Sequence, residues 1–313
     1  MGKLNHSTRG PIAEKVLRAV HKIKTQKIID LSAWKTANDY QNQLKKEREN
    51  KDFSHLDPLH ALYMDTQHKI SEFIEQFSLL PESHALNKRH NEAEDIYWPS
   101  GPPMSPLTGT YFFCWAAFDM SVGIKRETYT TIMIEIHRTL KADPNFIQVV
   151  KCMQESRMGL YRHQNYDGRF VYFRELYTNK SIKAHIGSRY NGVPGEIWLV
   201  RLLPDPFGYT DYSIAFTTPY IIIKGNRGTN RFNPSLFYAE EEWVEFIKRN
   251  LSKIKVKNPE TAYEHFMKFG LSKYYWPEYI FQGFVNHTEN LIWLTGLPDQ
   301  PETLPHSNQN TNQ

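Results

Sequence analysis

Tyrosine and arginine side chains are interleaved through the middle of this chain. Between Lys151 and Arg231 there are twelve Lys and Arg residues against six Asp and Glu residues. Cations can follow phosphates and flat rings can stack on bases, so this mixture is typical of surfaces that hold nucleic acid. An acidic protein is the alternative partner, and a sheet with its rings in the core and its cations in solvent fits the same pattern. The residues predicted to make contacts are Arg169, Tyr172, Arg174, Arg189, Tyr190 and Arg201.

Arg201 has the most unusual setting of these residues, because it interrupts an otherwise apolar run over residues 197–203. A guanidinium in a buried strand needs a partner, since burying an unpaired charge is costly. Glu175 and Glu196 are the candidate partners in the sequence. A structural ion pair is therefore the alternative to a ligand contact for this residue.

Two histidines and two glutamates in the same segment could perform acid–base chemistry. His163 and His185 can titrate near neutral pH, and Glu175 or Glu196 could orient either imidazole. No spacing among them matches an established catalytic motif. A hydrolase that uses these four residues is therefore the alternative function to a binding protein.

A weaker pattern concerns metal binding. Asp57, His60 and His68 fall near one face of a predicted helix, and zinc or iron accepts such ligands. This pairing is common by chance, and the sequence fixes no third ligand. We therefore predict no metal and no cofactor.

The elements that must position these residues change in character along the chain. Alternating runs over 169–176, 181–186, 196–203, 211–216 and 220–223 predict short strands separated by turns. In the second run Ile182, Ala184 and Ile186 should point inward. Helical spacing is found over residues 11–49, 58–80, 127–140, 144–154, 234–251 and 259–269, and residues 82–95 are predicted as a loop. The sequence thus predicts an α+β protein whose N- and C-terminal helices surround a small antiparallel β barrel or twisted sheet.

The predicted organisation has three parts. Residues 1–96 form a helical N-terminal region, residues 97–305 form the main α+β domain with its β unit at 157–223, and residues 306–313 form a disordered tail. Residues 1–50 hold eleven Lys and Arg residues against five Asp and Glu residues. A structural or assembly protein that docks through these basic helices is the third functional hypothesis.

Composition sets outer limits on the class of protein. The chain has 313 residues and a net charge of +4, which alone is too small to indicate nucleic acid binding. Two cysteines, Cys114 and Cys152, form no metal or disulfide motif. Neither a signal peptide nor a run of about 18 apolar residues is present, so the sequence predicts a cytoplasmic protein without a membrane span. The oligomeric state is left open.

Four stretches carry a resemblance to other proteins. They are WPSGPPMSP at 98–106, ESRMGLY at 155–161, GEIWLVRLLP at 195–204 and FTTPY at 216–220. On these residues the chain resembles a bacterial family of uncharacterised proteins over roughly residues 97–305. The resemblance implies no activity and no functional residue.

Overall fold

A computed structural model describes residues 9–25, 53, 55–97, 106–223 and 240–295. Most of the predicted basic arm over residues 1–50 and the predicted tail over 306–313 lie outside the described residues. The docking hypothesis for the arm therefore stays a prediction.

The centre of the fold is a closed barrel of five strands. These strands are β1 (Met158–Tyr166), β2 (Val171–Glu175), β3 (Ser181–Ile186), β4 (Ile197–Pro204) and β5 (Ser213–Ala215). Their order is β1-β2-β3-β5-β4, and β4 pairs back with β1. Strands β3 and β5 are parallel and the other barrel pairs are antiparallel, so the barrel is mixed where the sequence predicted an antiparallel one. The predicted α+β class with a small barrel is confirmed.

Three further strands extend the sheet from β4. They are β6 (Tyr220–Ile223), which pairs with β4, then β8 (Ile292–Thr295) and β7 (Phe284–His287). The C-terminal part of the chain thus returns to the barrel and adds its last two strands beside it.

Alternation of side chains sorts the barrel into two sides. Phe173, Ala184 and Trp198 are buried inside it, and Ile182 and Ile186 pack against them as predicted. The opposite side of β1 and β4 is equally apolar, since it lies beneath helices. Its buried residues include Leu160, Ile197, Leu199 and Leu203.

Helices cover this second side of the barrel. They are α1 (Pro11–Thr25), α2 (Pro58–Ser78), α3 (His84–Tyr97), α4 (Pro106–Cys114), α5 (Tyr129–Thr139), α6 (Pro144–Glu155), α7 (Glu240–Leu251), α8 (Pro259–Phe269) and α9 (Tyr275–Gly283). A π-helical turn over Trp115–Asp119 continues α4. Within the described ranges, every helix is too short or too polar to cross a membrane.

Residues 82–95 form a 3₁₀ turn and most of α3, so their prediction as a loop was wrong. The segment is polar, but Leu86 and Ala93 lie seven residues apart and are both buried in the core. Two small contacts on one face are enough to hold a helix whose other faces are solvated.

Local sequence explains where several helices begin. Asp57, Asp143 and Asn258 each stand before a proline, and each side chain accepts a backbone N–H of the first turn. Proline fits the first helical position because its missing N–H has no partner there in any case. These starts were predictable, and α2, α6 and α8 begin at the predicted residues.

The start of α1 is held from a distance by Glu127. Its buried carboxylate accepts the backbone N–H groups of Ile12 (3.0 Å) and Ala13 (2.9 Å). A carboxylate at this position satisfies orphan donors and matches the positive end of the helix dipole. Glu127 belongs to a short hairpin closed by pairing with Val122, so this contact fixes α1 against the hairpin.

A buried triad joins the barrel to the helices. Arg201 of β4 donates through Nη2 to Asp119, and Lys268 of α8 donates to the other carboxylate oxygen at 3.0 Å. Both cations also donate to the carbonyl oxygen of Ser156, at 2.9 Å from Arg201 and 2.8 Å from Lys268. The partner of Arg201 is thus Asp119, neither of the two glutamates that the sequence suggested. The structural interpretation of Arg201 is confirmed.

Removal of the Asp119 carboxylate should destabilise the fold strongly. The Asp119→Ala variant leaves Arg201 and Lys268 buried without an anion, and breaking a buried ion pair in this way costs about 3–5 kcal/mol. Urea unfolding measures the loss. The control is Glu14→Ala, which removes an exposed pair with Arg18 (3.4 Å) and should cost no more than about 1 kcal/mol. Equal losses for the two variants would contradict a central role for the triad.

Candidate binding face of the barrel

The outer side of β2 and β3 differs from the rest of the barrel because none of its side chains is fully buried. We define the β2–β3 face by Phe170, Tyr172, Arg174, Lys183 and His185. Tyr172 is exposed and lies opposite Lys183 across the two strands, while the other four residues are half-buried. The helices that bury the outer sides of β1 and β4 therefore leave this face accessible.

Phe170 is surrounded by cations and a second ring. The Nζ atom of Lys183 lies 4.7 Å from its ring centroid, and the guanidinium carbon of Arg169 lies 4.8 Å from it. The ring of Tyr212 lies 4.9 Å away. Cations over a ring gain attraction from its quadrupole, so these contacts organise the face around an aromatic centre.

Asp167 fixes the turn that presents Tyr172. One carboxylate oxygen accepts the backbone N–H groups of Phe170 (2.8 Å) and Arg169 (2.9 Å), and the other accepts the Tyr172 hydroxyl (2.8 Å). These hydrogen bonds, led by that from Phe170, lower the pKa of Asp167. The phenol ring is thus held in place on a residue that stays 36% exposed.

Carboxylates pair with most of the cations on and beside the face. Lys183 lies 2.7 Å from Asp211, and Arg174 lies 2.6 Å from Glu240 of α7. The more exposed Arg169 lies 3.6 Å from an oxygen of Asp57. The positive charge on and beside this face is therefore largely neutralised, and the face is aromatic and nearly balanced in charge.

The other predicted contact residues lie away from this face. Arg189 is exposed in the β3–β4 loop, at a φ of 65°, and forms no ion pair within the described part of the chain. The ring of Tyr190 is stacked on Trp198 at 5.5 Å between centroids, so one of its faces is already occupied. Arg201 is wholly buried, so its prediction as a ligand contact was wrong.

Glu196 closes the barrel near the β3–β4 loop. Its carboxylate accepts the hydroxyl of Tyr190 (2.5 Å), the indole N–H of Trp198 (2.9 Å) and the backbone N–H of Val193 (3.1 Å). His163 is buried beside it and donates through Nε2 to the carbonyl of Asn191 at 2.8 Å. These bonds hold the loop to the barrel, which is a structural use of both side chains.

The four predicted catalytic residues are divided among three places. Only His163 and Glu196 are neighbours. Glu175 accepts from Arg157 (2.9 Å), Thr178 (2.5 Å) and Tyr263 (3.2 Å), and His185 lies on the outer face with its ring 6.4 Å from Phe170. Both glutamates already hold several donors, so the structure does not assemble these residues into one acid–base site.

The three weak candidates for metal binding, Asp57, His60 and His68, each make a different structural contact. Asp57 caps α2 and accepts the hydroxyl of Tyr212 at 2.9 Å. His60 packs so tightly against Gly187 that a Cβ atom there would lie 2.3 Å from its ring, and His68 stacks on Phe53 at 5.4 Å. Among the residues that the structure describes, no group of three metal-ligating side chains occurs.

Sequence reasoning missed some residues of the face and all of its acidic partners. Lys183 and His185 could have been predicted for the face, because they alternate with the inward residues of β3, whereas Phe170 directly precedes β2. Glu240, Asp57 and Asp211 had none, since they reach the face from α7, α2 and the β4–β5 loop. Their positions depend on tertiary packing.

In comparisons with known proteins, no family model, no curated protein and no solved structure matches this chain. The resemblance to an uncharacterised bacterial family stays a prediction.

Protonation of His163 should weaken the fold. Burial lowers the pKa of this imidazole, although the Asn191 carbonyl and Glu196 act in the opposite direction. The unfolded chain therefore binds a proton more readily, so the contribution of neutral His163 is complete above about pH 6.5 and is lost as the pH falls below that value.

Urea unfolding at pH 7 and pH 5 measures this effect. The wild type should lose more stability over that interval than His163→Gln, which has no imidazole to protonate. The control His84→Gln changes an exposed residue and should follow the wild type. An equal loss in wild type and His163→Gln would show that this histidine does not contribute.

Proposed function

We propose that this protein binds single-stranded nucleic acid on the β2–β3 face. The observation that carries the proposal is the accessibility of this face, which holds aromatic residues and cations. It lies on a closed five-stranded barrel in which helices cover the outer sides of β1 and β4. Five-stranded barrels of the oligonucleotide-binding type use the side of their second and third strands and the adjoining loops for the same purpose.

Stacking is the main source of affinity in this proposal. Tyr172 offers an accessible ring held by Asp167, and stacking of one base on an aromatic side chain contributes about 1–3 kcal/mol. The β4–β5 loop adds Phe207 and Tyr209, whose centroids lie 5.9 Å apart and which are both exposed. The same loop supplies Asp211 and Tyr212 to the face, so its rings extend the surface along which bases can stack.

Electrostatic attraction has a smaller part, because each cation on the face has a carboxylate neighbour. Exposed pairs of this kind contribute only about 0–1 kcal/mol, so a phosphate can replace Asp211 beside Lys183 at little cost. An acidic protein would meet the same carboxylates without bases to stack on Tyr172 and Phe170. The charge balance therefore favours nucleic acid over the acidic protein that the sequence left as an alternative.

Substitution of Tyr172 separates stacking from hydrogen bonding. Tyr172→Ala should weaken binding of a single-stranded oligonucleotide by between about fivefold and 150-fold, the equivalent of one lost stacking contact. Tyr172→Phe keeps the ring and loses only the bond to Asp167, so it should bind nearly as the wild type does. Fluorescence anisotropy at low salt measures both, with Ile124→Ala as the control for a fully exposed apolar side chain elsewhere.

Two results would contradict the proposal. One is an absence of binding to single-stranded DNA or RNA at low salt. The other is an equal loss of affinity in Tyr172→Ala and Ile124→Ala, which would place the contact elsewhere on the protein.

The dependence of binding on salt should be shallow. Three cations, Arg169, Arg174 and Lys183, can contact phosphates on this face, and each contributes about −0.7 to the slope of log association constant against log salt concentration. We therefore expect a slope of about −2 in anisotropy titrations between about 50 and 200 mM salt. Lys183→Gln should make the slope less negative, whereas Lys88→Gln on exposed α3 should leave it unchanged. A slope of about −4 or steeper would indicate that charge, and not stacking, dominates.

A further inference from the structure

A polar cavity lies apart from the β2–β3 face, between α3, the hairpin that contains Gly123, and the end of α8. Its volume is about 360 Å³, which is near the lower limit of small-ligand cavities at about 300–1,000 Å³. Four side chains that can carry positive charge line it, namely Arg89, Arg126, His265 and Lys273. The only acidic residue in the lining is Asp119.

Neither arginine of the lining forms an ion pair with a carboxylate within the described ranges. Arg89 is half-buried and donates to the backbone carbonyls of Ser121 and Lys273, the latter at 3.2 Å, while its Nε atom is buried without a partner. Burial lowers the pKa of this guanidinium. Arg126 lies with its guanidinium carbon 5.1 Å from the ring centroid of Phe269. Glu92 and Tyr274 oppose the effect of burial on the pKa of Arg89, and the exposed Arg126 forms no ion pair in the described part of the chain.

The contact between Arg126 and His265 is the second sign of an incomplete site. Their Nη1 and Nε2 atoms lie 2.5 Å apart, so the imidazole must be neutral and accept a hydrogen bond from the guanidinium. The Nδ1 atom of His265 is buried and has no partner. Burial and the neighbouring Arg126 charge both lower the pKa of His265. An anion beside this pair could accept from the Arg126 guanidinium and from the unpartnered Nδ1–H of His265.

The buried triad behind the cavity adds to the positive potential. Arg201 and Lys268 share the single carboxylate of Asp119, so the net charge of the three groups is positive. Burial lowers the pKa of Lys268, although Asp119 opposes that change. Asp119 also lines the cavity. Both of its carboxylate oxygens already accept hydrogen bonds from the cations of the triad, so it forms no ion pair with Arg89 or Arg126.

We propose that this cavity binds a small anion of the phosphate class, held by Arg89 and Arg126. Guanidinium groups form paired, charge-assisted hydrogen bonds with phosphate oxygens, which makes arginine the usual residue for this task. The anion would take the free Nε–H of Arg89 and the guanidinium of Arg126, which would then no longer need His265 as its acceptor. Lys273 has a smaller part, since it lies 2.5 Å from Glu92. The volume suits a free ion or a single phosphate group of a small molecule.

Calorimetric titration with inorganic phosphate in a chloride buffer tests the proposal. The wild-type protein should bind phosphate, and Arg126→Gln and Arg89→Gln should each weaken binding by about tenfold or more, as expected for one lost hydrogen bond to a charged group. The matched control is Arg18→Gln, an exposed arginine of α1, which should bind as the wild type does. Arg126 is exposed, so its variant tests the site even if Arg89→Gln fails to fold.

Two further arms identify the source of the phosphate and the independence of the site. Tighter binding of a mononucleotide or of glycerol phosphate than of the free ion would assign the site to a phosphorylated small molecule, and equal binding would assign it to phosphate itself. Tyr172→Ala should bind phosphate normally, because the two sites share no residue. An absence of phosphate binding by the wild type, or an equal loss in Arg18→Gln and Arg126→Gln, would overturn the proposal.

Discussion

The Asp119 carboxylate is the contact on which the arrangement of the fold depends. It lies at the end of the π-helical turn after α4 and binds Arg201 from the barrel and Lys268 from α8. Three parts of the chain that are far apart in sequence therefore meet at one buried anion. Since Asp119 is the only carboxylate among the described residues within ion-pair distance of either cation, packing that separated these elements would leave charge unpaired in the interior.

This anchoring determines which side of the barrel remains open. With α8 and the π-helical turn held against β4, apolar residues such as Leu199 and Leu203 are covered by helices. Among the described residues, the side of β2 and β3 is approached by the first residue of α7, through Glu240, and by the start of α2, through the Asp57 cap and through His60 beside Gly187. The accessible aromatic surface is thus the part of the barrel on which the described helices leave no side chain fully buried.

Sequence patterns predicted the parts of this fold that depend on local periodicity. The inward positions of β3 and the starts of α2, α6 and α8 follow from alternation and capping, which act over a few residues. The parallel pairing of β3 with β5 was not predictable in this way, because it is set by closure of the barrel. The heptad-spaced contacts of α3 were too sparse to stand out from a polar segment.

The candidate site was predictable only in part, because local sequence patterns do not determine which distant residues pack beside a strand. Tyr172 and Arg174 alternate along β2, and the structure places both on the β2–β3 face, while Arg169 lies beside it in the turn before the strand. The composition of the segment gives its number of cations. It does not show that Asp57, Asp211 and Glu240 pair with Arg169, Lys183 and Arg174. It also could not separate Arg201, which is internal, from arginines that reach solvent.

The cap that Glu127 provides for α1 has a consequence for variation of the sequence. A Cβ atom at Gly10 would lie 2.1 Å from the carboxyl carbon of Glu127, so the chain can approach this acid only without a side chain. Homologues that retain the acid at 127 should retain glycine at 10, and lineages that lose one should be free to change the other. Coevolution of these two distant positions would record the docking of the first helix.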